Sequence, residues 1–185
     1  MIARPGRLLV FDLDGTLVDS DASLIEPFLR LGVPAEDIRL GPLLVDECAR
    51  LGFEVEDYLA HYDPTTVQPF AGVDEVVRSL DRWAVCSNKL RDDGRAQLER
   101  LGWSPTCALF AEDFGGSPKS LPPVLERLGL AAGDVVFVGD TAHDRECAHA
   151  VGATFLLAGW NPRARAAAEP GDVVLDAPAD VLRYR

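Results

Sequence analysis

Lysine is nearly missing from this chain. Lys89 and Lys119 are the only two, and arginine supplies the rest of the 18 basic residues set against 30 acidic ones. The net charge of −12 and a pI near 4.6 exclude a basic-tail binder. They also disfavour a nucleic-acid or anionic-membrane surface, because both need clustered positive charge. No apolar run approaches the ~18 residues required to span a bilayer, and residues 1–7 lack the apolar stretch of a secretory leader, so a cytosolic protein is expected. The four cysteines, Cys48, Cys86, Cys107 and Cys147, form no CxxC pair and have no histidine at zinc-finger spacing. Neither a redox motif nor a structural zinc site is indicated, and buried, idle thiols are expected.

What the sequence does contain is a globular composition, 48% apolar and 26% charged over 185 residues. That length supports one main core with a small appended subdomain. Short apolar runs at residues 7–11, 83–86, 108–110, 135–138 and 154–157, with a weaker one at 173–175, are too brief for helices and read as buried strands. Helical patterns fall between them at 73–80, 92–101, 121–128 and 142–151, the last three each followed by a glycine stop. Strands alternating with single helices predict an α/β fold, a Rossmann-like parallel sheet flanked by helices and joined by right-handed crossovers. Only the segment from 20 to about 68 breaks this rhythm. It offers helices near 24–31, 43–51 and 55–62 and no convincing strand, so residues 1–18 and 69–185 are assigned to the core and 19–68 to a small helical cap inserted after strand 1.

In such a sheet, ligands collect beyond the carboxyl ends of the strands. The first strand ends in Asp12 and Asp14, the second in Ser87-Asn88-Lys89, and the fourth in Gly139-Asp140-Thr141 followed by Asp144. Lys119 follows Gly115-Gly116-Ser117-Pro118 at the start of a helix. Four carboxylates, a hydroxyl, an amide and an ammonium then face one cleft. The acids would repel one another unless a cation sat among them, and a hard divalent ion with oxygen ligands, magnesium above all, resolves the conflict.

The run Phe11-Asp12-Leu13-Asp14-Gly15-Thr16-Leu17-Val18-Asp19-Ser20 resembles the first signature of the haloacid-dehalogenase-like hydrolase superfamily, in its phosphatase branch. Cys86-Ser87-Asn88-Lys89 resembles the second signature, Lys119 the third, and Val138-Gly139-Asp140-Thr141 with Asp144 the fourth. Pro69-Phe70-Ala71-Gly72-Val73 resembles the re-entry into the core after a small helical cap. By pattern the chain is similar to phosphoglycolate-phosphatase-like members, although its cap is shorter than theirs and Lys119 is followed by Ser120 where the family shows proline.

The resemblance implies a phosphomonoester hydrolase in which Asp12 is the nucleophile and forms an aspartyl-phosphate. It implies that Asp14 is the general acid and then base, that magnesium is held by Asp12, the Asp14 carbonyl and Asp140, and that Asp144 is a further ligand or orients a bound water. Ser87 and Asn88 would hydrogen-bond phosphate oxygens, and Lys119 would offset charge on Asp12 and the phosphoryl group. The expected partner is a small organic phosphate.

Plainer readings stand beside these. Asp-Gly is ordinary turn chemistry, Ser87 and Asn88 suit a helix N-cap, and Asp144 suits a solvated first helical turn. Lys89 reads as a surface residue near the cleft, and His61, His143 and His149 as exposed helix positions. The tryptophans read as packing, with Trp160 the one placed to border the cleft. Arg30, Arg39 and Arg50 of the insertion read as solvated unless one of them meets a distal anion of the substrate. Two other functions use similar residues: a sugar-phosphate mutase on the same core, and a phosphate-responsive binding module of the receiver type. The nucleophile's place on strand 1 and the insertion after it argue against the latter.

Overall fold

The computed structural model describes residues 6–185. The expectation about a leader and the first residues assigned to the core therefore falls largely on Met1–Pro5, outside the described residues. The elements in chain order are β1 (Leu8–Phe11), β2 (Val18–Asp19), α1 (Asp21–Arg30), α2 (Leu44–Leu51), α3 (Val55–Leu59), β3 (Gln68–Pro69), α4 (Val73–Arg78) and β4 (Trp83–Cys86). They continue with α5 (Arg91–Leu101), β5 (Cys107–Leu109), α6 (Pro122–Leu128), β6 (Val135–Gly139), α7 (Ala142–Val151), β7 (Thr154–Leu157) and α8 (Pro162–Ala166).

Five strands form a parallel sheet in the order β5-β4-β1-β6-β7. Alternation divides their side chains between two faces. Leu9, Phe11, Val85, Val136 and Val138 pack beneath α4 and α5 with Val76, Val77 and Leu98. Leu8, Val10, Ala84, Val135 and Phe137 pack beneath α6 and α7 with Val124, Cys147 and Ala148. Covering both faces is why the strands read as unbroken apolar runs rather than alternating ones. The helices α5, α6 and α7 each end on a left-handed glycine, Gly102, Gly129 and Gly152.

Register aligns what leaves the sheet. Phe11 lies opposite Val85 on one side and Val138 on the other. One residue further on, Asp12 therefore emerges level with Cys86 and Gly139, and Ser87 and Asp140 follow at once. The chain runs outward from β1 to β4 and β5, then returns to β6 on the opposite side, which places the switch in strand order beside β1.

Three details depart from the sequence expectations. The third strand ends at Leu109, because the Phe110 amide turns away to the Asp113 carboxylate at 2.9 Å. Residues 173–175 form no sheet strand; Val174 makes a single bridge to Leu157, whose amide and carbonyl bond Val173 and Leu175 at 2.9 and 3.0 Å. Arginine pairs pin the flanking acids, Asp172 to Arg145 and Asp176 to Arg165, and these anchor the segment as a loop. At the neck of the insertion, β2 and β3 pair antiparallel through Val18 with Pro69 and Asp19 with Gln68. Two-residue strands are too short to leave a periodic trace in sequence.

Between those strands, α1, α2 and α3 gather around Phe28, Val33, Cys48 and Tyr58. All four cysteines are buried free thiols. Trp83 and Trp103 pack edge to face at 6.3 Å within the main core. No helix of the described residues is long and apolar enough to cross a membrane.

Candidate active site

Beyond Phe11 the backbone folds into a tight turn in which the Leu13 carbonyl accepts from Leu17 and Val18 at 2.9 and 3.1 Å. Gly15 makes this turn possible. Its φ is +73°, and a β-carbon there would lie 2.4 Å from Asp140 Oδ2. A side chain is thus excluded both by backbone strain and by the approach of the β6 loop. Gly139 is required by contact alone, since a β-carbon would meet Asp144 at 2.3 Å.

The turn delivers Asp12 and Asp14 into one cleft with different partners. Asp12 Oδ1 accepts from the Leu13 amide at 2.7 Å, and Oδ2 lies 2.6 Å from Lys119 Nζ. Lys119 also lies 2.7 Å from Asp144 Oδ1, and only 2% of its side chain is exposed. The ammonium thus bridges the carboxylates from β1 and α7. Asp144 begins α7 in a capping box with Thr141: its Oδ2 accepts from the amides of Asp140 and Thr141 at 3.1 and 2.9 Å and from the Thr141 hydroxyl at 2.6 Å. It is fully buried, not a solvated first-turn acid. Burial opposes its ionisation, but Lys119 and the Thr141 bonds outweigh burial and hold the carboxyl below the usual range.

Asp140 accepts from the Thr16 hydroxyl at 2.9 Å through Oδ1 and from Arg163 at 2.5 Å through Oδ2. Burial, with the charges of Asp144 and Asp12 added, pushes its carboxyl up. Burial also pushes up Asp12, against the pull of Lys119. One oxygen each of Asp12, Asp140 and Asp144 lies within 4.8 Å of the others. This all-oxygen, anionic cluster, with two members resisting ionisation, fits a hard divalent cation.

Ser87 is buried, its hydroxyl accepting from the Lys89 amide at 3.3 Å. Asn88 accepts from the Lys119 amide at 2.7 Å and donates to the Gly41 carbonyl of the insertion at 2.7 Å. Its amide group thus ties the β4 loop to the Lys119 loop and to the insertion. The structure therefore brings Asp12, Asp14, Ser87, Asn88, Lys119 and Asp140 into the lining of one cleft, with Asp144 paired to Lys119.

Lys89 is not a surface residue. Its ammonium donates to both oxygens of Asp14 and to the Tyr62 hydroxyl, each at 3.0 Å, with 5% of the side chain exposed. Burial would lower its basicity, but Asp14 and Tyr62 overcome this and raise it. Both lysines of the chain are thus spent on site carboxylates. The resemblance to the third signature identifies Lys119, whereas Lys89, at the end of the second, reads from sequence as a surface residue near the cleft.

Four further residues support the site, of which only Thr16 lies in one of the signature runs. Thr16 holds Asp140, and Tyr62 holds Lys89. Arg163, at the start of α8, spans Asp140 and Asp21 of α1. Trp160 donates to the Thr16 carbonyl at 2.9 Å and so supports the first turn from behind. His143 is half-buried rather than exposed, with Nε2 3.1 Å from the Lys119 carbonyl. Among the insertion's arginines, Arg30 pairs with Glu26 and Arg50 with Glu47, while Arg39 lines the cleft. That cleft encloses about 780 Å³ of empty space, its open mouth included.

Known proteins similar to this chain are found by sequence and by shape. Over residues 46–158, well over half of the chain, the sequence matches the family model described as haloacid dehalogenase-like hydrolase. It is 28% identical to a phosphoglycolate phosphatase of Xylella fastidiosa strain Temecula1, covering 85% of this chain and 82% of that protein. It is also 28% identical to the pyrophosphatase PpaX of Halalkalibacterium halodurans over 74% of this chain and 75% of the relative. Among solved structures, a haloacid dehalogenase-like hydrolase from Streptococcus pneumoniae superposes with a TM-score of 0.77 at 22% identity, covering 97% of this chain and 98% of that one. A parallel sheet of this strand order, a carboxylate pair leaving its first strand, and a matching family model over most of the chain together place the protein among the haloacid dehalogenase-like hydrolases.

Proposed function

We propose that the protein is a magnesium-dependent phosphatase that hydrolyses a small organic phosphomonoester through an aspartyl-phosphate on Asp12. The observation that carries this reading is the setting of Asp12: a buried carboxylate at the end of the central strand, with Lys119 at 2.6 Å and two further acids within reach of a shared cation. In the first step an Asp12 oxygen attacks phosphorus and the bond to the leaving alcohol breaks, the alcohol oxygen taking a proton from Asp14. In the second, water attacks the same phosphorus, Asp14 takes its proton, and inorganic phosphate departs as the Asp12 carboxylate is restored. Ser87 and nearby backbone amides supply donors for phosphoryl oxygens, and Lys119 neutralises charge next to the nucleophile. Asn88 belongs to this set as the residue that holds the Lys119 loop in place.

Asp12, the Asp14 carbonyl and Asp140 are the groups proposed to hold magnesium. When bound, the ion would screen the nucleophile from the phosphate dianion and stabilise charge on the transferring group. Asp144 has three donors on Oδ2 and Lys119 against Oδ1, which favours the role of positioning Lys119 over that of a direct ligand. Segment 19–68 acts as a cap, joined to the core through Gly41 with Asn88, Tyr62 with Lys89, and Asp21 with Arg163.

The test is hydrolysis of 4-nitrophenyl phosphate by the purified chain with magnesium; absence of turnover, or turnover undiminished by a chelator, contradicts the reading. Binding should also register in stability. Asp12 and Asp140 are raised in the fold, so their contribution to metal-free stability is present at acid pH and is lost as pH climbs through their raised values. Magnesium at about 100 times its Kd stabilises by roughly 2.7 kcal/mol, or about 5–10 °C for a chain of this size. The shift should be larger at pH 8 than at pH 6, because protons compete with the ion for the same oxygens. Asp140→Asn should remove it; an equal shift in that variant would dismiss Asp140 as a ligand.

Asp14 makes a separate prediction. Asp14→Asn should slow an alkyl phosphate by about 10²- to 10⁴-fold, because a poor leaving group needs the proton. The loss should be much smaller for 4-nitrophenyl phosphate, whose leaving group departs as an anion. Equal losses on both substrates would assign Asp14 another role.

A further inference from the structure

We infer that the alcohol portion of the substrate is an uncharged apolar or aromatic group, seated against the wall that segment 19–68 turns toward Asp12. The inference rests on the phosphatase reading and adds the class of leaving group. The cleft that reaches Asp12 and Lys119 is lined on its far side by Leu24, Phe28, Leu40, Leu44, Tyr58 and Tyr62. The three aromatic residues form one row, Phe28 against Tyr58 at 4.7 Å and Tyr58 stacked on Tyr62 at 5.8 Å. The Tyr58 hydroxyl donates to the Leu24 carbonyl, and the Tyr62 hydroxyl accepts from Lys89 with its own proton left to donate. Phe28 and Tyr58 are buried and back this wall, while the half-buried Leu24, Leu40, Leu44 and Tyr62 supply its surface, which is apolar except at the Tyr62 hydroxyl.

Charge gives the same answer independently. Of the cations lining the cleft, Lys119 is paired with Asp12 and Asp144, Lys89 with Asp14, and Arg163 with Asp21 and Asp140. Among the described residues only Arg39 lines the cleft without a carboxylate in ion-pair distance, and it is exposed to solvent. Asp93 adds one more acid to the same lining, and Glu47, also there, is paired with Arg50. The phosphoryl group meets Lys119 at the floor, but a second anion on the leaving group would face surplus negative charge and apolar walls without a buried cation to balance it.

The experiment compares kcat/KM for benzyl phosphate, ethyl phosphate and 2-phosphoglycolate with the full chain and magnesium. All three release alkyl alcohols, so the comparison reads the pocket more than leaving-group acidity. Benzyl phosphate should exceed ethyl phosphate by about 10- to 100-fold, the factor that taking one aromatic ring out of water supplies. It should exceed 2-phosphoglycolate by at least as much. Leu40→Lys, which places a cation on the wall, should lower turnover of benzyl phosphate and raise that of 2-phosphoglycolate, a reversal that loss of folding cannot produce. Turnover of 2-phosphoglycolate equal to or above that of benzyl phosphate overturns the inference while leaving the phosphatase reading intact. Failure to hydrolyse any of the three, or 4-nitrophenyl phosphate, overturns both.

Discussion

Asp12→Asn should reduce phosphatase turnover by about 10⁴-fold or more, because an amide cannot form the acyl phosphate that divides the displacement into two steps. The fold should survive the change. Asn preserves the shape of a side chain that is buried at the end of β1, and its one oxygen can accept from the Leu13 amide or from Lys119 but not from both. Lys119 loses one carboxylate but keeps Asp144 at 2.7 Å. Removing one of three clustered acids also relieves the repulsion that helps raise Asp12 and Asp140. The lost acceptor and the relieved repulsion oppose each other, so the melting temperature of the metal-free variant should stay close to that of the parent while steady-state turnover collapses. Residual activity above about one per cent would place the nucleophile elsewhere.

Lys119→Met should damage both stability and rate. The lysine is buried between two carboxylates, at 2.6 and 2.7 Å, with the Phe137 ring 5.9 Å from its ammonium. Taking away one member of a buried ion cluster typically costs about 3–5 kcal/mol, since the remaining charges keep their desolvation penalty and lose their compensation. For a chain of this length that is a fall of roughly 6–20 °C. Turnover should fall by about 10²- to 10³-fold or more, the usual loss when one group stabilising transition-state charge is removed. The double variant Lys119→Met with Asp144→Asn separates the two effects. It removes one of the stranded acids, so much of the stability should return while turnover stays low. Recovery of both would make Lys119 a structural residue only.

Where the fold was legible in sequence, the reason is burial on both faces of the sheet. Leu8-Leu9-Val10-Phe11 and Val135-Val136-Phe137-Val138 are unbroken apolar runs because neither face meets water. The ends of those strands were legible too, since polar residues that follow such a run at once must leave the sheet together. What escaped is what three-dimensional packing decides. Lys89 has the composition of a surface residue, and nothing near it in sequence reveals that Asp14 and Tyr62 converge on its ammonium from 75 and 27 residues away. Arg163 lies on a one-turn helix after β7, and its partners Asp21 and Asp140 come from two separate elements. Asn88 had the chemistry of a phosphate donor, yet its amide is committed to Gly41, a contact that exists only because the insertion folds back onto the core. Residues 173–175 had strand-like apolar content, but the flanking acids Asp172 and Asp176 are drawn to Arg145 and Arg165, and only Val174 bridges to Leu157.

The stereochemical course at phosphorus tests the two-step account most directly. A substrate made chiral at phosphorus by oxygen isotopes is hydrolysed in isotopically labelled water, and the configuration of the released phosphate is read. Two successive in-line displacements, first by Asp12 and then by water, predict net retention. Net inversion would mean that water attacks the substrate directly and that no phosphoryl group is ever carried by the protein.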